Sequence, residues 1–283
     1  MSDVLKEVSA LKMADNWSMT ELPVPSELST IVDRIWSFRY FRQAKGPGYY
    51  RFAPEGRVDI IYVHGDLKSQ TSNQSCSSGF YLCGPLTYGA TIKPVCDTAI
   101  IGATINYDVA AAFVGCDLTD MRNVVLPIAD SPLCDVFDNE LMSCAKTTTD
   151  TYALLLSMCQ LRARNTVNAY AQTKAAVSDI KESRGVLSIS DLAAKQGCTV
   201  RTLQRRFLVH LGVSPKELAQ IIRIRSALDI HYVNKNKSWL ETCLDVGYYD
   251  QSHFIRDFRR SFFISPQDFL LSEYINIAES TAI

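Results

Sequence analysis

The sequence GCTVRTLQRRF, residues 197–207, decides the fold of the C-terminal part of this chain because a second version of it, GYYDQSHFIRDF, follows at residues 247–258. Self-similarity at a fixed distance is typical of a duplicated structural unit. The residues that recur with an offset of 51, as from 205 to 256, are Arg205, Phe207 and Pro215, which return as Arg256, Phe258 and Pro266. The repeat predicts two copies of one small unit.

The first copy reads as two helices joined by a tight turn. Ser190 is placed to cap a helix over residues 191–196, and Gly197 supplies a turn residue that tolerates a positive φ. Thr199 then caps a second helix, which runs to about Leu211. This arrangement is a helix-turn-helix.

The second copy repeats the arrangement. Ser238 is expected to cap a helix over residues 239–245, Gly247 to make the turn, and Asp250 to cap the helix that follows. A Ser-Pro start predicts one long helix over residues 215–233. This helix would join the two helix-turn-helix units.

The second helix of each unit carries a polar face opposite an apolar stripe when residues are plotted at about 100° intervals. The apolar stripes are Val200, Leu203, Phe207 and Leu211 in the first helix, and Phe254, Phe258 and Phe262 in the second. The outward residues are Arg201, Thr202, Gln204 and Arg205, then Ser252, His253 and Arg256. Arginine and glutamine pair bidentately with guanine and adenine edges in the major groove. Two such faces in a duplicated unit favour DNA reading over an ordinary solvated face.

The charge of the chain divides at the same place. Residues 1–179 carry 15 Lys and Arg against 19 Asp and Glu, a net charge of −4, and residues 180–275 carry 14 against 10, a net charge of +4; Glu279 completes the total of −1. Net charges of opposite sign in the two segments indicate two functions, one of which is contact with a polyanion.

The N-terminal part has the texture of a β domain. Short strand-like runs separated by turn formers occur at residues 36–41, 58–63, 80–83, 99–105 and 124–126. The polar stretch 68–78 between two of them is interpreted as an exposed hairpin loop. We therefore predict an α+β protein with a β barrel or sandwich over residues 1–131, a helical linker over 132–180 and a double helix-turn-helix domain over 181–275.

Several classes of protein are excluded by composition. No window approaches the roughly 18 to 20 consecutive apolar residues of a membrane span, and the N-terminus lacks the apolar core of a signal peptide, so we expect a cytoplasmic protein without membrane contact. The nine cysteines have no regular spacing. They are interpreted as reduced thiols packed as small apolar side chains.

Residues 186–271 resemble the DNA-binding domain of the AraC-type transcriptional regulators. The motifs that carry the resemblance are Ile189-x-Asp-Leu-Ala, Gly197-x-Thr-x-Arg-x-Leu-x-Arg-x-Phe, Gly212-x-Ser-Pro and Gly247-Tyr-x-Asp-Gln-Ser-x-Phe-x-Arg-x-Phe. The resemblance implies two recognition helices that enter successive major-groove segments on one face of the duplex. It assigns base reading to Arg201, Gln204, Arg205, Gln251, Ser252, His253 and Arg256. Phe263 stands where the family usually has glycine, so the helix end there either lacks a positive-φ cap or carries strain of about 1 kcal/mol.

The segments 36–40, 54–62 and 79–84 resemble the cupin-like β domains that precede the DNA-binding domain in many members of this family. The resemblance implies a role in sensing or dimerisation. A cupin metal site needs two or three histidines and a glutamate, but His64 is the only histidine before residue 200 and is interpreted as a surface hairpin residue. No hydrolase, nucleotide-binding or zinc-protease motif is present either. We expect no catalytic activity, no metal and no cofactor.

Two groups of apolar residues are open to two interpretations each. Trp36, Phe38, Tyr40, Tyr62 and Tyr81 lie on alternating or neighbouring strands. They would either line a ligand pocket or fill the core. Tyr152, Leu155, Leu156 and Cys159 form a helical stripe. That stripe would either carry a homodimer contact or pack against the β domain.

The sequence thus predicts a transcriptional regulator that binds specific double-stranded DNA and is modulated through its N-terminal domain by a small-molecule effector or by self-association. RNA polymerase is a further partner if the protein is an activator. One alternative is a regulator controlled by a protein partner or by its own abundance. Another is a DNA-repair methyl acceptor that uses the helix-turn-helix only for targeting, but this needs a zinc-clustered nucleophilic cysteine that the cysteine spacing does not supply.

Overall fold

A computed structural model of the protein describes residues 10–14, 17–41, 49–136, 147–163, 166, 170–234, 237–269 and 274–275. The described strands are β1 (Ala10–Ala14), β2 (Trp17–Leu22), β3 (Val32–Tyr40), β4 (Tyr50–Phe52), β5 (Asp59–His64), β6 (Leu67–Ser69), β7 (Ser75–Cys76), β8 (Gly79–Cys83), β9 (Ala90–Pro94), β10 (Thr98–Ile105), β11 (Val125–Pro127) and β12 (Tyr274–Ile275). The described α-helices are α1 (Ala110–Val114), α2 (Thr148–Ala163), α3 (Ala171–Glu182), α4 (Ile189–Lys195), α5 (Val200–Leu211), α6 (Pro215–Val233), α7 (Trp239–Asp245) and α8 (Gln251–Phe262). The predicted α+β class is confirmed.

The N-terminal half is built from two sheets. One has seven antiparallel strands in the order β1-β2-β3-β10-β5-β8-β11, and the other has five in the order β12-β4-β9-β6-β7. The sheets face each other across an aromatic core in which the ring of Phe38 lies 5.5 Å from that of Tyr50 and 5.7 Å from that of Phe52. No ladder joins the two sheets among the described strands, so this half is a sandwich and not a closed barrel.

The outer face of the large sheet is covered by α2. Tyr152, Leu155 and Cys159 of this helix are buried in one cluster with sheet residues such as Ile101 and Ile105. Leu156 packs against the same cluster. The structure therefore supports the interpretation in which this stripe packs against the β domain, and a homodimer contact stays a prediction.

Two further sequence interpretations of the β half need correction. His64 is half-buried, with Nε2 2.9 Å from Thr151 Oγ1 of α2, so it is not a surface hairpin residue. The stretch 68–78 does form a hairpin, of β6 and β7, but it is not simply exposed since Cys76 is buried. In both cases the neighbouring residues in the sequence are polar and gave no sign of the contact that forms in the folded chain.

The C-terminal half contains the two helix-turn-helix units, α4–α5 and α7–α8, joined by α6. Gly197 and Gly247 make the turns at φ +61° and +80°, as their positions predicted. The caps at Thr199, Ser238 and Asp250 are confirmed by side chains that accept backbone N–H bonds.

Three details of these units differ from the prediction. The cap of α4 is Ser188, whose hydroxyl accepts from the Asp191 N–H, and not Ser190. Val200 is 38% exposed, because it lies in the first turn of α5, outside the stripe that faces the core. Phe263 adopts the left-handed conformation at φ +60° and thereby caps α8 in place of glycine, the strained one of the two predicted outcomes.

The two halves are closely packed. The Leu118 N–H donates to the Val209 carbonyl of α5 at 3.0 Å, and the Gly89 N–H donates to the Ser261 carbonyl of α8 at 2.7 Å. Tyr107 belongs to the core of the first helix-turn-helix unit, and β12 returns to pair in parallel with β4. The helices of the C-terminal half therefore rest directly on the β half, while the predicted boundaries at 131 and 180 stay predictions.

Candidate functional site

The first candidate recognition helix is α5, which is amphipathic in the predicted sense. Leu203, Phe207 and Leu211 are buried against α3, α4 and α6. On the other side, Arg201, Gln204 and Arg205 are exposed. None of these three side chains hydrogen-bonds or ion-pairs with another described residue, so their donors are available to a partner. Thr202 is half-buried, and its N–H and hydroxyl both lie close to the Thr199 cap.

The second candidate recognition helix is α8. Phe254, Phe258 and Phe262 anchor it, with ring centroids 5.6 and 5.0 Å apart along the stripe. Ser252 and Arg256 are exposed on the opposite side, and Gln251 is half-buried at the first turn. Arg256 thus occupies in α8 the place that Arg205 occupies in α5.

His253 is held by an internal network. Its Nε2 lies 3.5 Å from Asp257 Oδ2, and its ring stands edge-on to Tyr248 at 5.1 Å. Asp257 is buried and also accepts from Gln220 of α6 at 3.1 Å and from the Tyr248 hydroxyl at 3.2 Å. The network ties α8 to α6, so His253 has less freedom to reach a base than the exposed Arg256.

Three exposed residues of the second unit were missed by sequence reasoning. Tyr249 in the turn before α8 is 94% exposed, and Arg259 and Arg260 are exposed in its last turn. Tyrosine and arginine side chains are common donors to phosphate oxygens. An aromatic residue between a turn glycine and a helix cap was the signal that pointed to Tyr249.

A cavity of about 140 Å³ lies between the two sheets of the β half. Its walls are mainly apolar, and four charged residues line it as well. The charged lining residues are Arg34, Glu55, Arg57 and Asp59. Trp36 lines the cavity, as one of the two interpretations of this residue predicted. The indole lies flat on Gly102 of the neighbouring strand, where any Cβ would approach it to 2.5 Å.

The other predicted pocket residues are placed differently. Phe38 is fully buried in the core between the sheets, with Tyr40 packed beside it, and Tyr81 is fixed there by hydrogen bonds between its hydroxyl and the Ser77 backbone. For Tyr62 the pocket interpretation is wrong, because this residue points to the opposite face of the sheet and packs on Phe80 under α2. These four residues fill cores.

The charged residues form a buried cluster shared by both halves of the chain. Glu55 pairs with Arg34 of β3 and, at 2.6 Å, with Arg225 of α6. Arg57 lies 3.9 Å from Glu55 and 2.6 Å from Asp33. Burial alone would raise the pKa of Glu55, but the charges of Arg225, Arg34 and Arg57 hold this pKa far below its usual value. One carboxylate therefore links the cavity wall to the helix between the two helix-turn-helix units.

Asp59 is the second carboxylate of the cavity and has fewer partners. Its Oδ1 accepts from the Thr104 hydroxyl at 2.5 Å, and that hydroxyl accepts in turn from the Trp36 indole N–H at 3.2 Å. Burial, followed by the charge of Glu55, raises the pKa of Asp59 to about 6. A titratable group of this kind in a cavity is characteristic of functional sites. A single aspartate within the apolar run 58–63 was the sequence signal for it.

Two features are absent from the part of the chain that the structure describes. No group of three or more His, Cys, Asp or Glu side chains is arranged to hold a metal ion within this part of the chain. No described helix is both long and apolar enough to cross a membrane.

Comparison with protein families gives two matches. Residues 192–272 match a helix-turn-helix domain family, and residues 20–127 match a domain family of unknown function. No functionally curated protein matches the chain. The two matched segments correspond to the helices of the C-terminal half and to the β half.

Three of the solved structures that match this chain do so with TM-scores below 0.5. ToxT from Vibrio cholerae is 11% identical with a TM-score of 0.47 over 84% of this chain and 98% of its own. The AraC-like transcriptional activator CuxR is 16% identical with a TM-score of 0.33 over 80% and 85%. The C-terminal domain of the response regulator AraT from Geobacillus stearothermophilus is 22% identical with a TM-score of 0.34 over 38% and 90%.

The motifs of the repeat, the cap geometry and the family match agree for the C-terminal half. Each helix-turn-helix contains the turn glycine and the capped recognition helix that the sequence predicted. Residues 192–272 of this chain therefore form a helix-turn-helix domain of the kind found in AraC-type transcription regulators.

Proposed function

We propose that the protein reads a specific double-stranded DNA sequence with α5 and α8. The observation that carries this proposal is the equivalent placement of Arg205 and Arg256, each exposed opposite a buried apolar stripe and without an ion pair to another described residue. A guanidinium group in this position can donate two hydrogen bonds to a guanine edge. The net charge of +4 over residues 180–275 supplies the accompanying attraction to phosphates.

The β half regulates this activity through the cavity. The cavity wall and α6 share Glu55, so a ligand that shifts Arg34 or Glu55 also acts on Arg225. Because α6 connects the two recognition units, a displacement at Arg225 changes how the units sit relative to each other. An equilibrium of this kind responds to a ligand only if the ligand binds the two arrangements with different affinity.

The protein acts as a regulator and not as an enzyme. The alternative of a repair-type methyl acceptor requires a reactive thiolate, and burial raises the pKa of Cys159 to about 12 and that of Cys83 well above its usual value. These thiols are therefore protonated and unreactive at neutral pH. Incubation of the full chain with methylated duplex DNA should leave every cysteine unmodified by mass spectrometry.

Selection from a pool of random duplexes with the full chain tests the proposed function. We expect one enriched motif with two conserved blocks, bound with an affinity that falls steeply with salt. An enriched pool without a common motif would show that the basic half binds DNA without sequence specificity. A pool that is not enriched at low salt would contradict the proposal altogether.

A further inference from the structure

The cavity between the sheets has the size of a site for one ring. Its volume of about 140 Å³ is close to the approximately 150 Å³ of an apolar protein cavity that accepts benzene. The walls are formed by side chains such as Trp36, Ile61, Leu67 and Ile92. The volume excludes a large ligand, and a polar group placed against these four side chains would find no hydrogen-bond partner among them.

At one end of the cavity, one hydrogen-bond donor has no partner among the described residues and one carboxylate accepts a single hydrogen bond. The Arg34 Nε is buried and has no hydrogen-bond partner among the described residues. The Asp59 carboxylate accepts only from Thr104 within this part of the chain. Both residues stand beside Thr104, because β10 pairs Thr104 with Arg34 on one side and with Asp59 on the other. At a strand spacing of about 4.8 Å their Cα atoms lie roughly 10 Å apart.

The charges that line the cavity are already balanced. Arg34 and Arg57 pair with Asp33 and Glu55, Glu55 also pairs with Arg225, and the remaining carboxylate, Asp59, accepts from the Thr104 hydroxyl. A cation placed between Asp59 and Arg34 would face the Arg34 guanidinium, and an anion there would face the Asp59 carboxylate, so either ion would meet a like charge. An uncharged group that both donates and accepts would instead satisfy Asp59 and Arg34 together.

We propose that the cavity binds a small uncharged ring compound with one hydroxyl or primary amide group, which donates to Asp59 and accepts from the Arg34 Nε. The ring lies against Trp36 and the aliphatic walls. This inference rests on the proposed function, in which the cavity is the regulatory site. It also assigns Asp59 to ligand selection, a role that its place in an apolar strand does not otherwise explain.

Isothermal titration of the full chain at pH 7.5 with four probes of one shape tests the proposal. The probes are benzyl alcohol, toluene, benzylammonium and benzoate. We expect benzyl alcohol to bind at least ten-fold more tightly than each of the other three. Either ion binding as tightly as benzyl alcohol would overturn the charge argument, and equal binding of toluene would overturn the hydrogen-bond argument.

Two variants locate the polar group. Asp59→Leu should weaken benzyl alcohol at least ten-fold and leave toluene unchanged or tighter, whereas Asp66→Leu, the same change at an exposed turn, should alter neither. Unchanged benzyl alcohol binding in Asp59→Leu overturns the assignment. If Asp59→Leu does not fold, Asp59→Asn replaces it, with an expected loss of at least three-fold.

DNA binding by the same preparation separates this inference from the proposed function. A wild-type protein that selects a DNA motif but binds none of the four probes contradicts the ligand class and leaves the DNA-binding proposal intact. A protein that binds benzyl alcohol with the expected preference but selects no motif supports the cavity assignment and contradicts the proposed function.

Discussion

Glu55 and Arg225 form a largely buried ion pair, 2.6 Å between Oε1 and Nη1, that joins the wall of the β-half cavity to the helix between the two recognition units. Arg34 and Arg57 surround the same carboxylate. This ion pair couples the two halves of the chain, because moving either side chain out of the interior would break its ion pairs.

Glu55→Gln should destabilise the protein by about 3 to 5 kcal/mol, because it leaves buried arginines without their counter-ion. Urea unfolding at pH 7 measures this free energy. Arg122→Met is the matched control, since it breaks the partly exposed pair of Arg122 and Glu217 between the same halves and should cost at most about 1 kcal/mol. Equal losses of unfolding free energy in the two variants would show that the ion pairs of Glu55 stabilise the protein no more than the partly exposed pair of Arg122 and Glu217 does. Since the pKa of Glu55 is lowered, its contribution is present above pH 4.5 and is lost as the pH falls.

Asp59→Asn should have the opposite effect to Glu55→Gln and stabilise the protein at neutral pH. The pKa of Asp59 is raised from 3.8 to about 6, so stability is fully present below pH 3.8 and is lost as the pH rises through 6. A pKa difference of this size between the unfolded and the folded protein corresponds to a change in the free energy of unfolding of about 3 kcal/mol at most. Unfolding of both proteins at pH 7.5 and pH 4 should show a gain at pH 7.5 that disappears at pH 4.

The control for this prediction is Asp66→Asn, which removes the same charge from an exposed turn. A surface change of this kind should stay within about 0.5 kcal/mol at either pH. A gain for Asp59→Asn that did not depend on pH would mean that packing, and not the carboxylate charge, is responsible.

The sequence predicted the DNA-binding half better than the β half for a physical reason. Caps and turn glycines such as Thr199 and Gly247 act within a few residues, so their pattern is visible in one stretch of chain. The side on which Tyr62 lies depends on register within the sheet, and a shift of one residue moves a side chain to the other face.

The charged cluster was invisible to sequence reasoning. Arg34, Glu55 and Arg225 are separated by up to 191 residues, from 34 to 225, and meet only in the folded chain. A pocket in the β half was one of the two interpretations of the aromatic residues, but of these residues only Trp36 lines the cavity, whose place depends on the packing of Trp36 on Gly102 and on the distance between two sheets. The base-reading assignment could be made from sequence and is still to be tested.

Gly197→Ala and Gly212→Ala form a matched pair that separates backbone strain from contact between the halves. Both glycines have a positive φ, +61° and +67°, so either change should cost about 1 kcal/mol in strain. A Cβ at Gly197 would meet nothing within 4 Å, whereas one at Gly212 would lie 2.5 Å from the Leu118 carbonyl oxygen. Gly212→Ala should therefore cost at least about 1 kcal/mol more in thermal unfolding. Equal costs would contradict the close packing of the two halves.

A fragment that starts at α3, residues 171–269, should fold and bind duplex DNA. It retains nearly all members of the two helix-turn-helix cores and loses Tyr107 and Ala53 of the β half. Its affinity should fall with salt at the same slope as that of the full chain, about 0.9 in log–log form for each phosphate contacted. A folded fragment that binds independently of salt, or binds no DNA at low salt, would contradict the separation of the two tasks.

Site selection with Arg205→Ala and Arg256→Ala tests whether Arg205 and Arg256 each read one base pair. Each variant should lose about 1 to 3 kcal/mol on the cognate site and relax one position of the motif, with non-specific binding nearly unchanged. The two relaxed positions should lie roughly 10 base pairs apart, one helical turn of DNA. Lys216→Ala, which removes a charge from an exposed position outside both recognition helices, should relax none. Uniform weakening on all sequences in both arginine variants, with the motif intact, would contradict the claim.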